Sequence, residues 1–151
     1  MKKLLILMAV TVASAFALQA QKGLNVAKVF QGRYAKMPDA VVTYLTGDAV
    51  EKYDLSLYRS LAVTCDAATA NEVEQLVLKD GLTATSKEAV YRGLQLEFGA
   101  FPLPERNYLN RYLFYVNKDA DSGKSTARIV VVYMSGDASP EKVKKLINTG
   151  K

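Results

Sequence analysis

Ile129-Val130-Val131-Val132 is apolar and β-branched at four successive positions. Successive side chains of a strand point to opposite faces, so this run is apolar on both. An antiparallel strand with one wet face alternates into polar residues instead. The run therefore predicts a central strand covered on two sides. Whatever else the chain does, it must build a sheet around residues 127–134 and shield Val130 and Val132 as well as Val131.

The neighbouring segments supply that sheet. Arg111 to Asn117 reads as a strand, joined to Ala127–Met134 by Lys118-Asp119-Ala120-Asp121-Ser122-Gly123-Lys124. From Ala89 to Phe98, Val90, Leu94, Leu96 and Phe98 alternate with Tyr91, Gly93, Gln95 and Glu97, which predicts one half-buried strand. Phe101-Pro102-Leu103-Pro104 predicts a loop, because proline donates nothing to a ladder. Val41–Leu45 and Leu57–Cys65 are earlier β-branched or alternating runs.

Helix signals separate these strands. Asn25 can cap a helix carrying Val26, Val29, Phe30, Tyr34 and Met37 on one stripe. Gly32 weakens it and Pro38 ends it. Asp48-Ala49-Val50-Glu51 and Thr69-Ala70-Asn71-Glu72 have capping-box spacing. The second opens a helix with Val73, Leu76 and Val77 inward, closed at Asp80-Gly81 by a left-handed glycine. Ser139-Pro140-Glu141 starts a last helix that turns Val143, Leu146 and Ile147 to the core. The order predicts an α+β fold: a mostly antiparallel sheet of about four to five strands with helices packed on one face, a two-layer sandwich. Val63, Cys65, Val73, Leu76, Leu94, Leu96, Phe114, Val131 and Leu146 form its expected core.

The first twenty residues have a different character. Lys2-Lys3 precede an uncharged apolar run from Leu4 to Leu18, followed by small residues around Ala15-Phe16-Ala17 and Ala20. This is the layout of a secretory signal peptide, with cleavage after Ala20 or, alternatively, after Ala17. The run is shorter than the roughly twenty residues a membrane span requires, which argues against an uncleaved anchor. With no Cys near the cleavage point, a lipid-modified N-terminus is not expected. The expected organisation is thus a signal peptide over 1–20 and a single α+β domain over 21–151, exported to the periplasm or beyond. No stable membrane span is expected after cleavage. Losing Lys2 and Lys3 and no acid lowers the net charge from +5 to +3. The Lys142, Lys144, Lys145 and Lys151 cluster, on and after a C-terminal helix, suits that helix's negative end, so no nucleic-acid partner is inferred from it.

Composition removes much chemistry. The chain has no His, no Trp and one Cys. Ser-His-Asp and Cys-His nucleophile pairs are impossible, as are zinc sites built on His or several thiolates. Cys65 shares a strand face with Leu61 and Val63, so it reads as a buried thiol rather than a disulfide partner or nucleophile. Gly123-Lys124-Ser125-Thr126 resembles the end of a phosphate loop, but Lys118 stands where its first glycine belongs and strands flank it. Asp119-Ala120-Asp121-Ser122-Gly123 echoes a calcium loop, with glycine one position early and Val130 where the bidentate Glu should be. Both read as a hairpin loop. Glu97 could pair across the sheet with Arg111 or Arg128. No catalytic residue, metal or cofactor is assigned.

The helix with Val29-Phe30 and Tyr34, the strand Val41-Val42-Thr43-Tyr44-Leu45, the later helix–strand–strand–strand unit and Ser135-Gly136-Asp137 before Lys145-Leu146 together resemble small exported proteins of unknown function from Gram-negative bacteria. The likeness is one of layout and hydrophobic spacing over most of residues 24–148. It implies an α+β fold and envelope localisation, and carries no site residues with it.

One sheet face remains to be explained. With helices on one side only, the other would carry Tyr91, Leu113, Tyr115, Val130 and Val132, too apolar for a solvated face. Either the Asn25–Met37 helix folds over it, or a protein partner or second copy covers it, or it stays an exposed patch. The expected function is accordingly a non-enzymatic, exported module that binds a protein or envelope component. A carrier of a small apolar ligand and, more remotely, a carboxylate-based small hydrolase are the alternatives.

Overall fold

A computed structural model describes residues 23–149; the expected signal segment lies outside them. Six strands form one antiparallel sheet: β1 (Val41–Thr46), β2 (Leu55–Asp66), β3 (Glu88–Arg92), β4 (Gln95–Arg106), β5 (Leu109–Asn117) and β6 (Thr126–Gly136). Their order is β1-β2-β6-β5-β4-β3. The apolar run of β6 is therefore interior, paired to β2 on one side and β5 on the other.

Both faces of the sheet are covered. On one, Leu61, Leu113, Tyr115, Val131 and Tyr133 pack under residues 24–37 and helix α2 (Ala67–Gly81). On the other, Phe114, Val132 and Met134 pack under α1 (Asp48–Glu51) and α3 (Pro140–Thr149). The class is α+β as expected, but helices on a single face are not what the chain builds. A strand apolar on both sides demanded the second layer, and α3 supplies it.

The sixth strand arises where one was expected. The alternation from Ala89 to Phe98 runs through a two-residue turn at Gly93-Leu94, where Gly93 has φ +61°. Glycine reaches that region at no steric cost, and hairpin turns of this length require it. Leu94 consequently sits at the hairpin tip, 97% exposed, and is not in the core. The two prolines lie inside β4, not in a loop. β3 pairs no further than Ala100, and beyond it the outer side of β4 accepts the Thr85 N–H at Pro102 C=O (2.9 Å), so a missing N–H there breaks no ladder.

The N-terminal stripe is buried, but not as a long helix. Only Asn25–Lys28 forms a 3-10 turn, and the chain then runs through further turns to Met37. Val26, Val29, Phe30 and Tyr34 are all buried, because successive turns satisfy three- to four-residue spacing as well as a helix does. Its cap comes from another element: the buried Asp80 carboxylate accepts from the backbone N–H groups of Asn25 and Val26 at 2.8 Å each. Helix α2 starts at Ala67, capped by Asp66 accepting from Thr69 N–H at 2.6 Å, ahead of the expected Thr69. It keeps Gly81 within the helix. There the glycine makes room for Phe101, since an added Cβ would lie 2.8 Å from that ring.

Candidate functional site

The geometry of α3 begins with Ala138. Its N–H donates to Asp54 C=O at 2.8 Å, and its C=O accepts from the Tyr112 hydroxyl at 2.6 Å and Asn110 Nδ2 at 3.3 Å. Ser139 then caps the helix, its Oγ accepting from Lys142 N–H at 3.3 Å. An ion pair between Lys142 and Asp54 ties the same turn to the start of β2. Fixed at that end, α3 lays Val143 fully against the sheet and leaves Leu146 and Ile147 half-buried.

Between those last two residues and the β1–β2 corner lies an apolar cleft of about 320 Å³. Leu45, Tyr53, Tyr58 and Met134 complete its walls. No carboxylate is among its lining residues, and it can hold apolar groups. The cleft opens onto β1, the first edge of the sheet. Val41 and Leu45, which share this face, are 62% and 38% exposed. Among the described residues β1 pairs with β2 alone, so its outer backbone groups face outward.

The five residues expected to form a partner surface do not share one. Tyr91 stands on edge strand β3, 52% exposed. Leu113 and Tyr115 are fully buried beneath α2 and the N-terminal turns. Val132 is buried, and Val130 half-buried, on the opposite face with α3. Leu113 pairs with Tyr133 and Phe114 with Val132, so Phe114 belongs with Val132 and not with Val131. A one-residue difference in register exchanges the faces of a whole strand. The N-terminal segment does fold over Leu113 and Tyr115, as one of the two expected covers, but not over Val132. Of the residues that do line the open cleft, Leu146 and Ile147 were legible as a helix stripe. Nothing local associates them with Leu45.

The loop and carboxylates singled out in the sequence are engaged structurally. Asp119 accepts from the Arg128 backbone and side chain at 2.9 Å and from Lys124 Nζ at 3.4 Å. The Arg128 hydrogen bonds hold its carboxyl well below the usual carboxylate range. Glu97 pairs with Arg92 at 3.1 Å instead of Arg111 or Arg128, and Arg111 Nε donates to Pro104 C=O at 2.8 Å. Among the described residues, no group of three or more Cys, Asp or Glu is placed to hold a metal ion. Cys65 is buried, and burial pushes its thiol up to about 11.

A family model described as a family of unknown function (DUF6108) matches residues 13–147. No curated protein and no solved structure matches the chain.

Proposed function

The chain belongs to that family of unknown function, and we propose that its mature form is an exported, non-enzymatic module that binds an extended segment of a protein partner along the outer edge of β1. The observation that carries this reading is the state of the two sheet edges. Natural sheets blunt their edges with charges, bulges or prolines. β3 does so: a bulge at Glu97 of β4 breaks its register between Val90 and Tyr91, and Glu88 and Arg92 at its ends are in ion pairs to Lys144 and Glu97. β1, Val41-Val42-Thr43-Tyr44-Leu45-Thr46, has no charge, no proline and no bulge in its register with β2. An added strand would pair with its backbone and set alternate apolar side chains against Val41, Leu45 and the adjoining cleft.

Export rests on Lys2-Lys3 and the Leu4–Leu18 run, and places the module in the periplasm or outside a Gram-negative cell. No helix among the described residues is long and apolar enough to cross a membrane.

The test uses the mature protein and a displayed library of random peptides. Selected peptides should alternate apolar residues and slow hydrogen exchange at residues 41–46. Leu45→Glu should weaken them by about tenfold or more, or ~1.4 kcal/mol, without shifting the melting temperature. Selection of no such peptide would sink the proposal. So would light scattering that shows a dimer already protecting β1, or a fatty acid occupying the cleft while the β1 amides still exchange freely.

A further inference from the structure

On the face away from β1's cleft, a second depression of about 200 Å³ lies between the first half of α2 and the β5–β6 loop. It differs in chemistry from the first. Glu74 of α2, only 4% exposed, lines it from the helix side. One Glu74 oxygen accepts the Leu96 N–H at the start of β4. No Lys or Arg pairs with this carboxylate among the described residues. Tyr115, fully buried, lines the depression from the sheet side. Its hydroxyl sits near the Asn117 side chain but makes no hydrogen bond of normal geometry.

Two buried polar groups thus converge without adequate partners. A buried hydroxyl left unpaired gives up its hydration for nothing, and a buried carboxylate without a counter-ion loses more. The neighbouring amide oxygens and the nearest cation are already engaged. Asn117 Oδ1 accepts from Asp119 N–H at 2.9 Å and Gln95 Oε1 from Asp121 N–H at 2.8 Å. Lys124, the cation on the rim, is held by Asp119 at 3.4 Å. Asp121, exposed at the mouth, adds a second negative charge. An anionic ligand would meet acids at floor and mouth, while a cation with N–H donors would meet acceptors at both. Burial holds the Glu74 carboxyl above its usual range, consistent with the lack of any cation beside it.

We infer that this cleft is a binding site for a small organic ammonium ion, whose N–H groups donate to the Glu74 carboxylate and the Tyr115 hydroxyl. Charge-assisted hydrogen bonds of this kind are about twice as strong as neutral ones, and the cleft's volume admits only a small headgroup. The site shares no residue with the β1 edge, so the two proposals stand or fall separately.

Calorimetry on the mature protein would use ethylamine and ethanolamine as probes, with ethanol and acetate as neutral and anionic controls. Both amines should bind saturably and neither control should. Glu74→Gln retains an acceptor for the Leu96 N–H, so the fold should survive while amine affinity drops at least about tenfold, or ~1.4 kcal/mol. Tyr115→Phe removes an unpaired hydroxyl; it should leave stability unchanged or raised and still weaken amine binding several-fold. If Glu74→Gln fails to fold, Tyr115→Phe decides. The inference is overturned if no amine binds the folded parent, if ethanol binds as well as ethanolamine, or if folded variants bind like the parent.

Discussion

Asp119 holds together the hairpin between β5 and β6 through one carboxylate. It takes the Arg128 backbone N–H, the Arg128 guanidinium and Lys124, and the Asp119 N–H is itself accepted by Asn117 Oδ1. Because the folded-state pKa is depressed by Arg128, the stabilisation is present above the unfolded value of about 3.9 and lost as pH falls toward the folded one. Asp119→Asn should therefore lower the urea midpoint near neutral pH. The gap between variant and parent should close as pH is brought below about 4. A gap independent of pH would mean that the carboxylate's charge contributes nothing and that only its shape matters. Cys65 behaves oppositely at this scale: raised by burial, its thiol is protonated and inert near neutrality.

Elements here meet through clearances as much as through apolar contact. The Phe101 ring of β4 lies between Gly81 at the end of α2 and Gly99 of its own strand; an added Cβ would stand 2.8 Å and 2.6 Å away respectively. Phe101 is itself buried, so the ring has nowhere to move. Gly81→Ala would raise helix propensity at an exposed site, yet here it should cost about 1–3 kcal/mol by overpacking. Chemical denaturation of that single variant checks this. A gain in stability would show that the α2–β4 contact yields easily. β4 also shows how a bulge decides facing: the extra residue at Glu97 lets Leu96 join one core and Phe98 pack against the other.

At the scale of the molecule, the sheet has helices on both faces, one bulged and charged edge, and one plain apolar edge. That asymmetry supports the proposed recruitment of an extended partner. N-terminal sequencing of the native envelope form should begin at Gln21, or at Leu18 if cleavage follows Ala17. Recovery of the intact chain beginning at Met1 from cytosol would remove the export premise while leaving the β1 edge to be tested on its own.

The residues alone determined what depends on short range. Four apolar positions in β6 required an interior strand with two covers, since period-two geometry leaves such a run no wet face. Ser139-Pro140-Glu141 marked the start of α3, and the lack of His ruled out whole classes of catalysis. The three- to four-residue stripe from Val26 to Tyr34 identified what is buried, though not that turns rather than a helix would bury it. Only the tertiary structure decided relations between segments. Periodicity assigns a side chain to one side of its own strand, but the loop over residues 118–125 sets how β5 registers with β6, and a single step exchanges Phe114 with Leu113. Gly93-Leu94 became a turn because the returning β4 pairs with β3, and Pro102 was admitted to a strand because β3 does not reach it and its outer side is asked only to accept, from Thr85 N–H. Leu45 and Leu146 line one cleft, and Glu74 and Tyr115 another, through packing of elements distant in the chain, which no local pattern encodes.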